Sequence, residues 1–152
     1  MGDDFPDQPD LPWSNSFAVG IAQLDEEHRA LVDQINAVCR RSRGGRMDEA
    51  LQALDVLLEK GARHFEHEEA VLRGLNGYGE LDNHASEHRN RLAQLTALRQ
   101  RFAEKQADDP RLREALIDWF VRQSIGHDAA IKGFFDDRGT RFTGRPRPRK
   151  VS

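Results

Sequence analysis

His64 and Glu68 stand four residues apart, and so do His84 and His88. In a helix that spacing places two side chains on one face, about one turn apart. Both pairs interrupt runs whose other inward positions are apolar: Leu51, Leu54, Leu57 and Val71 around the first, Leu81, Leu92, Leu95, Leu98 and Phe102 around the second. His28 takes a similar place among Leu24, Leu31, Ile35 and Val38. Gln123, His127 and nearby Asp128 do so after Leu112, Leu116 and Trp119. A bare carboxylate or a group of imidazoles is costly to bury unless each finds a partner. One shared cation would serve them all. Nitrogen and carboxylate donors without a thiolate suit iron, zinc or manganese, and two carboxylates from opposite helices can bridge a pair of ions in a bundle core. A lone histidine on an apolar face is usually a core histidine bonded to a carbonyl, and a single i,i+4 pair is weak evidence. Four histidines and a glutamate at matching heights, out of six histidines in the chain, are much harder to dismiss. Cys39, about three turns from His28, reads as a small buried apolar group. His67, among Glu66, Glu68 and Glu69, reads as solvated, with a supporting contact to the site as the lesser option.

Four helical stretches must carry these residues. The first is expected from about Asp25, as its cap, to the Gly44–Gly45 break. The second runs from about Met47, with Asp48 and Glu49 in a first turn where the helix dipole favours acids, and stops at Gly74, Asn76 and Gly77. The third starts near Leu81. The fourth opens with Asp109 as cap and Pro110 at the first helical position, continues its apolar stripe through Ile131 and Phe134, and closes at Gly139. The links are short, so consecutive helices are antiparallel neighbours. The expected fold is all-α, an antiparallel up-down-up-down four-helix bundle with an extended N-terminal arm. The expected divisions are an arm at 1–23, holding Pro6, Pro9, Pro12 and Gly20, a bundle at 24–137 and a tail at 138–152. In this topology the second half of helix two, the first half of helix three, the start of helix one and the end of helix four share one end of the bundle, so the polar residues meet at one level.

The 152 residues, 38% of them apolar, suffice for one core. No stretch approaches the roughly 18 apolar residues of a membrane span. The acidic start Met1-Gly2-Asp3-Asp4 is unlike a secretory signal, and a single cysteine forms no internal disulfide, so a cytoplasmic protein is expected. The net charge of −3 is unevenly spread. Residues 1–10 hold four Asp and no base, while residues 138–152 hold five Arg and one Lys and no acid. The body is mildly acidic, which argues against a nucleic-acid-binding surface. The basic tail reads first as a solubilising segment and second as a contact for a protein or other anionic partner. A monomer is expected.

Several stretches resemble the bacterial hemerythrin family: Trp13…Phe17-Ala18-Val19-Gly20-Ile21…Leu24-Asp25-Glu26-Glu27-His28, then His64-Phe65-Glu66-His67-Glu68-Glu69, then His84-Ala85-Ser86-Glu87-His88, and Trp119-Phe120…Asp128. The resemblance covers about residues 13–131. It implies a four-helix bundle with two non-haem irons that binds dioxygen, or another small diatomic ligand, at an open position on one iron. Carried over by motif, His28 and His64 hold the iron with the open position, His84 and His88 hold the other, and Glu68 and Asp128 bridge. The family pattern also has a histidine five residues before the bridging aspartate, and here Gln123 stands there. The gap can be met by the Gln123 amide oxygen, by water or an anion, or, least favoured by its register, by His127. A neutral amide oxygen is a poorer donor than imidazole for ferrous iron, so the second iron is expected to be labile or partly occupied. The implied function is reversible oxygen carriage, storage or sensing. The alternative is an enzyme, a peroxidase-like or ferrous-oxidising di-iron protein.

Overall fold

A computed structural model describes residues 10–74, 79, 81–105 and 110–122. A single 3₁₀ turn, Asn15–Phe17, precedes helices α1 (Ala22–Arg43), α2 (Met47–Arg73), α3 (Leu81–Lys105) and α4 (Pro110–Val121). Among the described residues there is no strand. Helix α1 packs on α2 and α4, and α3 packs on the same two helices, which closes an antiparallel four-helix bundle. No described helix is long and apolar enough to cross a membrane.

The local signals act largely where the sequence puts them. Gly45 takes φ +76, a left-handed conformation that glycine adopts without a Cβ penalty. The Gly44, Gly45 and Arg46 N–H groups donate back to carbonyls of the last turn of α1, as at many helix ends. Three residues then suffice to reverse the chain into α2. Gly74 closes α2 by donating to Ala70 and Val71 carbonyls. One boundary differs. Helix α1 begins at Ala22, with Ile21 at the cap position, rather than at Asp25. Asp25 lies in the first turn, and its carboxylate reaches back to accept from the Val19 and Gly20 N–H groups at 2.7 and 3.2 Å. An acid four positions into a helix can serve the preceding backbone as a cap would. The Asp109 cap and the end of the fourth helix lie outside the described residues.

Two apolar clusters fill the interior. The larger joins Leu31, Ile35, Leu54, Leu57, Leu95, Leu116 and Phe120, with Cys39 among them. The smaller joins Val19, Ile21, Leu24 and Leu72. Between Leu24 and Leu31 on α1 lies His28, and between Leu57 and Leu72 on α2 lie His64 and Glu68. The polar residues thus form a buried layer between two oily ones. The arm covers this layer from outside: Phe17 is buried against Phe120, ring centroids 5.0 Å apart and edge-on, and Trp13 packs edge-on against Phe17.

Candidate metal centre

His28 from α1, His64 and Glu68 from α2, and His84 and His88 from α3 meet in this layer, each no more than 2% exposed. Their donor atoms form two groups that share Glu68. One is His28, His64 and Glu68; the other is Glu68, His84 and His88; within each, donor atoms lie no more than 4.8 Å apart. Oε1 of Glu68 lies 2.7 Å from His84 Nε2 and 2.8 Å from His88 Nε2. Oε2 faces the other way, 3.6 Å from His64 Nε2. The i,i+4 pairing on α2 and α3 thus brings the expected side chains together. Gln123, His127 and Asp128 lie outside the described residues.

Hydrogen bonds fix which imidazole nitrogens point inward. His28 Nδ1–H donates to the Phe17 carbonyl at 2.6 Å, His64 Nδ1–H to Glu27 at 2.8 Å, and His88 Nδ1–H to Glu69 at 2.7 Å. A neutral imidazole carries one proton. With that proton spent on Nδ1, each Nε2 presents a lone pair to the interior. The Nε2 atoms of His28 and His64 are then 3.0 Å apart, lone pair to lone pair, and the Nε2 of His88 faces a carboxylate oxygen. Protonation would relieve this, but burial and the neighbouring His28 hold His64 below its usual range, against the upward pull of Glu27 and Glu68. Glu27 is itself pushed up by burial, and more than pulled back down by hydrogen bonds from His64 and His67. The stable combination is neutral His64 donating to ionised Glu27. Convergent lone pairs around a fully buried carboxylate are a donor set for cations, and a carboxylate with one oxygen toward each histidine pair fits two of them.

Aromatic rings set the walls. Phe65 stacks on His88, centroids 4.2 Å apart and nearly parallel, and Phe120 meets His28 edge-on. A cleft of about 330 Å³ bounded by Ala30, Lys60, Arg63 and His67 approaches the centre from outside, with Glu27 and His64 in its wall.

The Hemerythrin HHE cation binding domain model matches residues 19–123. The chain belongs to the hemerythrin family. A bacteriohemerythrin of Ralstonia nicotianae is 29% identical over 132 residues, covering 86% of this chain and 93% of that one. A bacteriohemerythrin of Methylococcus capsulatus is 26% identical over 116 residues, covering 73% and 86%. The fold is similar to the crystal structure of a leucine-to-tyrosine mutant of hemerythrin, with a TM-score of 0.70 and 22% identity over 81% of this chain and 95% of that one. For a hemerythrin, the supporting contacts are those that residue-by-residue reading did not find. Glu27 and Glu69 each adjoin an inward residue in sequence, about 100° round the helix from it, so periodicity assigns them to the flank. An acid next to an inward residue, Glu27 beside His28 and Glu69 beside Glu68, was the available signal. His67, read first as solvated, hydrogen-bonds Glu27 through Nδ1, so one carboxylate holds both His64 and His67.

Proposed function

We propose that this hemerythrin chain holds two non-haem irons and binds dioxygen reversibly, for carriage, storage or sensing, with a modified second iron site. The observation that carries the proposal is Glu68, fully buried, with its two oxygens turned toward different histidine pairs. In this reading His28 and His64 would hold one iron, the one on which the ligand exchanges, His84 and His88 would hold the other, and Glu68 and Asp128 would serve both. When bound, the iron pair supplies an exchangeable coordination position and the valence change that dioxygen binding needs. The chain's own residues do the rest. The Phe17 carbonyl, Glu27 and Glu69 hold the tautomers that aim the Nε2 atoms of His28, His64 and His88 inward, an effect that raises ligand basicity and fixes ring orientation. Phe65, Phe120 and the apolar layers above and below limit water at the site.

Anaerobic reconstitution with ferrous iron tests this. Two irons per chain are expected, with a visible absorption band that appears on adding oxygen and reverses when oxygen is removed. A chain that takes up no ferrous iron on reconstitution, or that holds zinc alone after native purification, overturns it. Gln123 favours a second reading, a peroxidase-like or ferrous-oxidising enzyme, because a labile or open second iron lets water or peroxide in. Sustained turnover of hydrogen peroxide by the iron-loaded protein would establish it. In the leading reading Gln123→His restores a third imidazole, and stopped-flow decay of the oxygenated absorption slows. Equal decay and full iron occupancy in both proteins would remove Gln123 from the account.

A further inference from the structure

We infer that Asp25 is a positioning residue for His28 and that it acts through the backbone of the N-terminal arm. The inference deepens the proposed function, and only its metal-binding measurement rests on that reading. The inward histidines with resolved Nδ1 partners are held in two different ways. His64 and His88 donate to the carboxylates of Glu27 and Glu69, which reach in from the helices themselves. His28 donates to the backbone carbonyl of Phe17. That acceptor is only as well placed as the arm that carries it.

The arm is tied on both sides of Phe17. Upstream, the Leu11 N–H donates to Asn36 Oδ1 at 2.8 Å and Asn36 Nδ2 donates to the Leu11 carbonyl at 3.0 Å. Downstream, Val19 and Gly20 both donate to Asp25. Hydrogen bonds to an ionised carboxylate are about twice as strong as neutral ones, and these two begin only two residues from the carbonyl that His28 uses. Asp25 and His28 are three residues apart on α1 and share a face. One turn of helix therefore grips the same short loop twice, through its backbone N–H groups and through its carbonyl. Gly20 completes the loop with φ +92 and open space where a Cβ would stand. A side chain there would strain the backbone without touching anything else.

The test uses the full chain carrying Asp25→Ala, Asp25→Asn or Gly20→Ala, with Leu95→Ala as a variant destabilised in the core from α3. In the metal-free proteins, long-range ¹⁵N NMR of the imidazoles reads whether His28 keeps its proton on Nδ1. Asp25→Ala and Gly20→Ala are expected to lose this single tautomer while His88, held by Glu69, retains it. Asp25→Asn should fall between, and Leu95→Ala should keep both. In anaerobic titrations with ferrous iron, Asp25→Ala is expected to weaken one of the two binding steps about tenfold and spare the other, as changes to groups supporting a ligand do. An unchanged His28 tautomer in Asp25→Ala, with both affinities within about twofold of the parent, would overturn the inference and leave Asp25 a helix cap. If Asp25→Ala does not fold, Gly20→Ala and Asp25→Asn decide between the same outcomes. If the parent chain takes up no iron, the proposed function fails and the NMR measurement still decides this inference.

Discussion

At the scale of single residues, Glu27 connects the buried layer to solvent. It accepts from His64, which is fully buried, and from His67, whose side chain is 39% exposed. Glu27→Ala leaves the His64 Nδ1–H without its acceptor, and is expected to destabilise the metal-free chain by about 1–3 kcal/mol, the cost of a buried donor that loses its partner. Glu27→Gln keeps an acceptor and should cost less; urea unfolding of the two variants measures the difference. The pH response has a definite sign. His64 is held below its usual 6.5 in the folded chain, chiefly by burial. As pH falls below about 6.5, the unfolded chain takes up a proton that the folded chain resists, so the stability from neutral His64 is complete above that point and is lost toward the lower folded value. Glu27, also held low, contributes above the carboxylate range and loses its contribution as pH falls through its folded value. Both act in one direction, His64 below about pH 6.5 and Glu27 only below about pH 4.5. The urea midpoint of the metal-free chain should decline on acidification from about pH 7.5 to 5, and a flat or rising midpoint would contradict the assignment.

At the scale of elements, helix α2 contains a glycine in its interior that geometry does not require. A Cβ built on Gly61 meets the Trp119 ring at 3.6 Å and Leu92 Cδ2 at 3.7 Å, ordinary contact distances. Glycine within a helix costs about 0.5–1 kcal/mol relative to alanine. Gly61→Ala is therefore expected to raise stability by about that amount, read as an increased denaturant midpoint with unchanged slope. A lowered midpoint would mean that Trp119, whose indole N–H donates to the Arg91 carbonyl at 2.8 Å, leaves no room to adjust. The arm is the element whose role differs most from its sequence signature. Its prolines and lack of periodicity suggest an extended segment anchored by Leu11, Trp13, Phe17, Val19 and Ile21, and Phe17, Val19 and Ile21 are buried; beyond that, it supplies the acceptor for His28.

At the scale of the whole molecule, the fold places a polar layer across its core toward one end of the bundle, where apolar side chains would pack without electrostatic cost. A carboxylate and four imidazoles held there in the absence of cations weaken the bundle, and cations that bind only the folded state strengthen it. Ferrous iron at about 100 times its dissociation constant should add about 2.7 kcal/mol. Anaerobic calorimetry should show a rise in Tm of several degrees, reversed by a chelator. No shift in Tm on adding iron would mean that the layer is satisfied without metal.

The sequence alone determined the class of fold and the inward set His28, His64, Glu68, His84 and His88. A period of four and the placement of breakers are local properties, and short links leave consecutive helices little choice but to run antiparallel. What it left undecided lies off the inward stripes. That Asp25 holds the arm and that Phe17 contributes a carbonyl as well as a ring follow only from the packing of the arm against α1, and that Glu27 serves two histidines follows only from the packing of α1 against α2. Backbone carbonyls have no signature in the identity of a residue. A carboxylate on the flank of a helix looks the same in sequence whether it faces water or a neighbouring histidine. Tertiary structure decides this, because it alone sets which groups separated by tens of residues come within hydrogen-bonding distance.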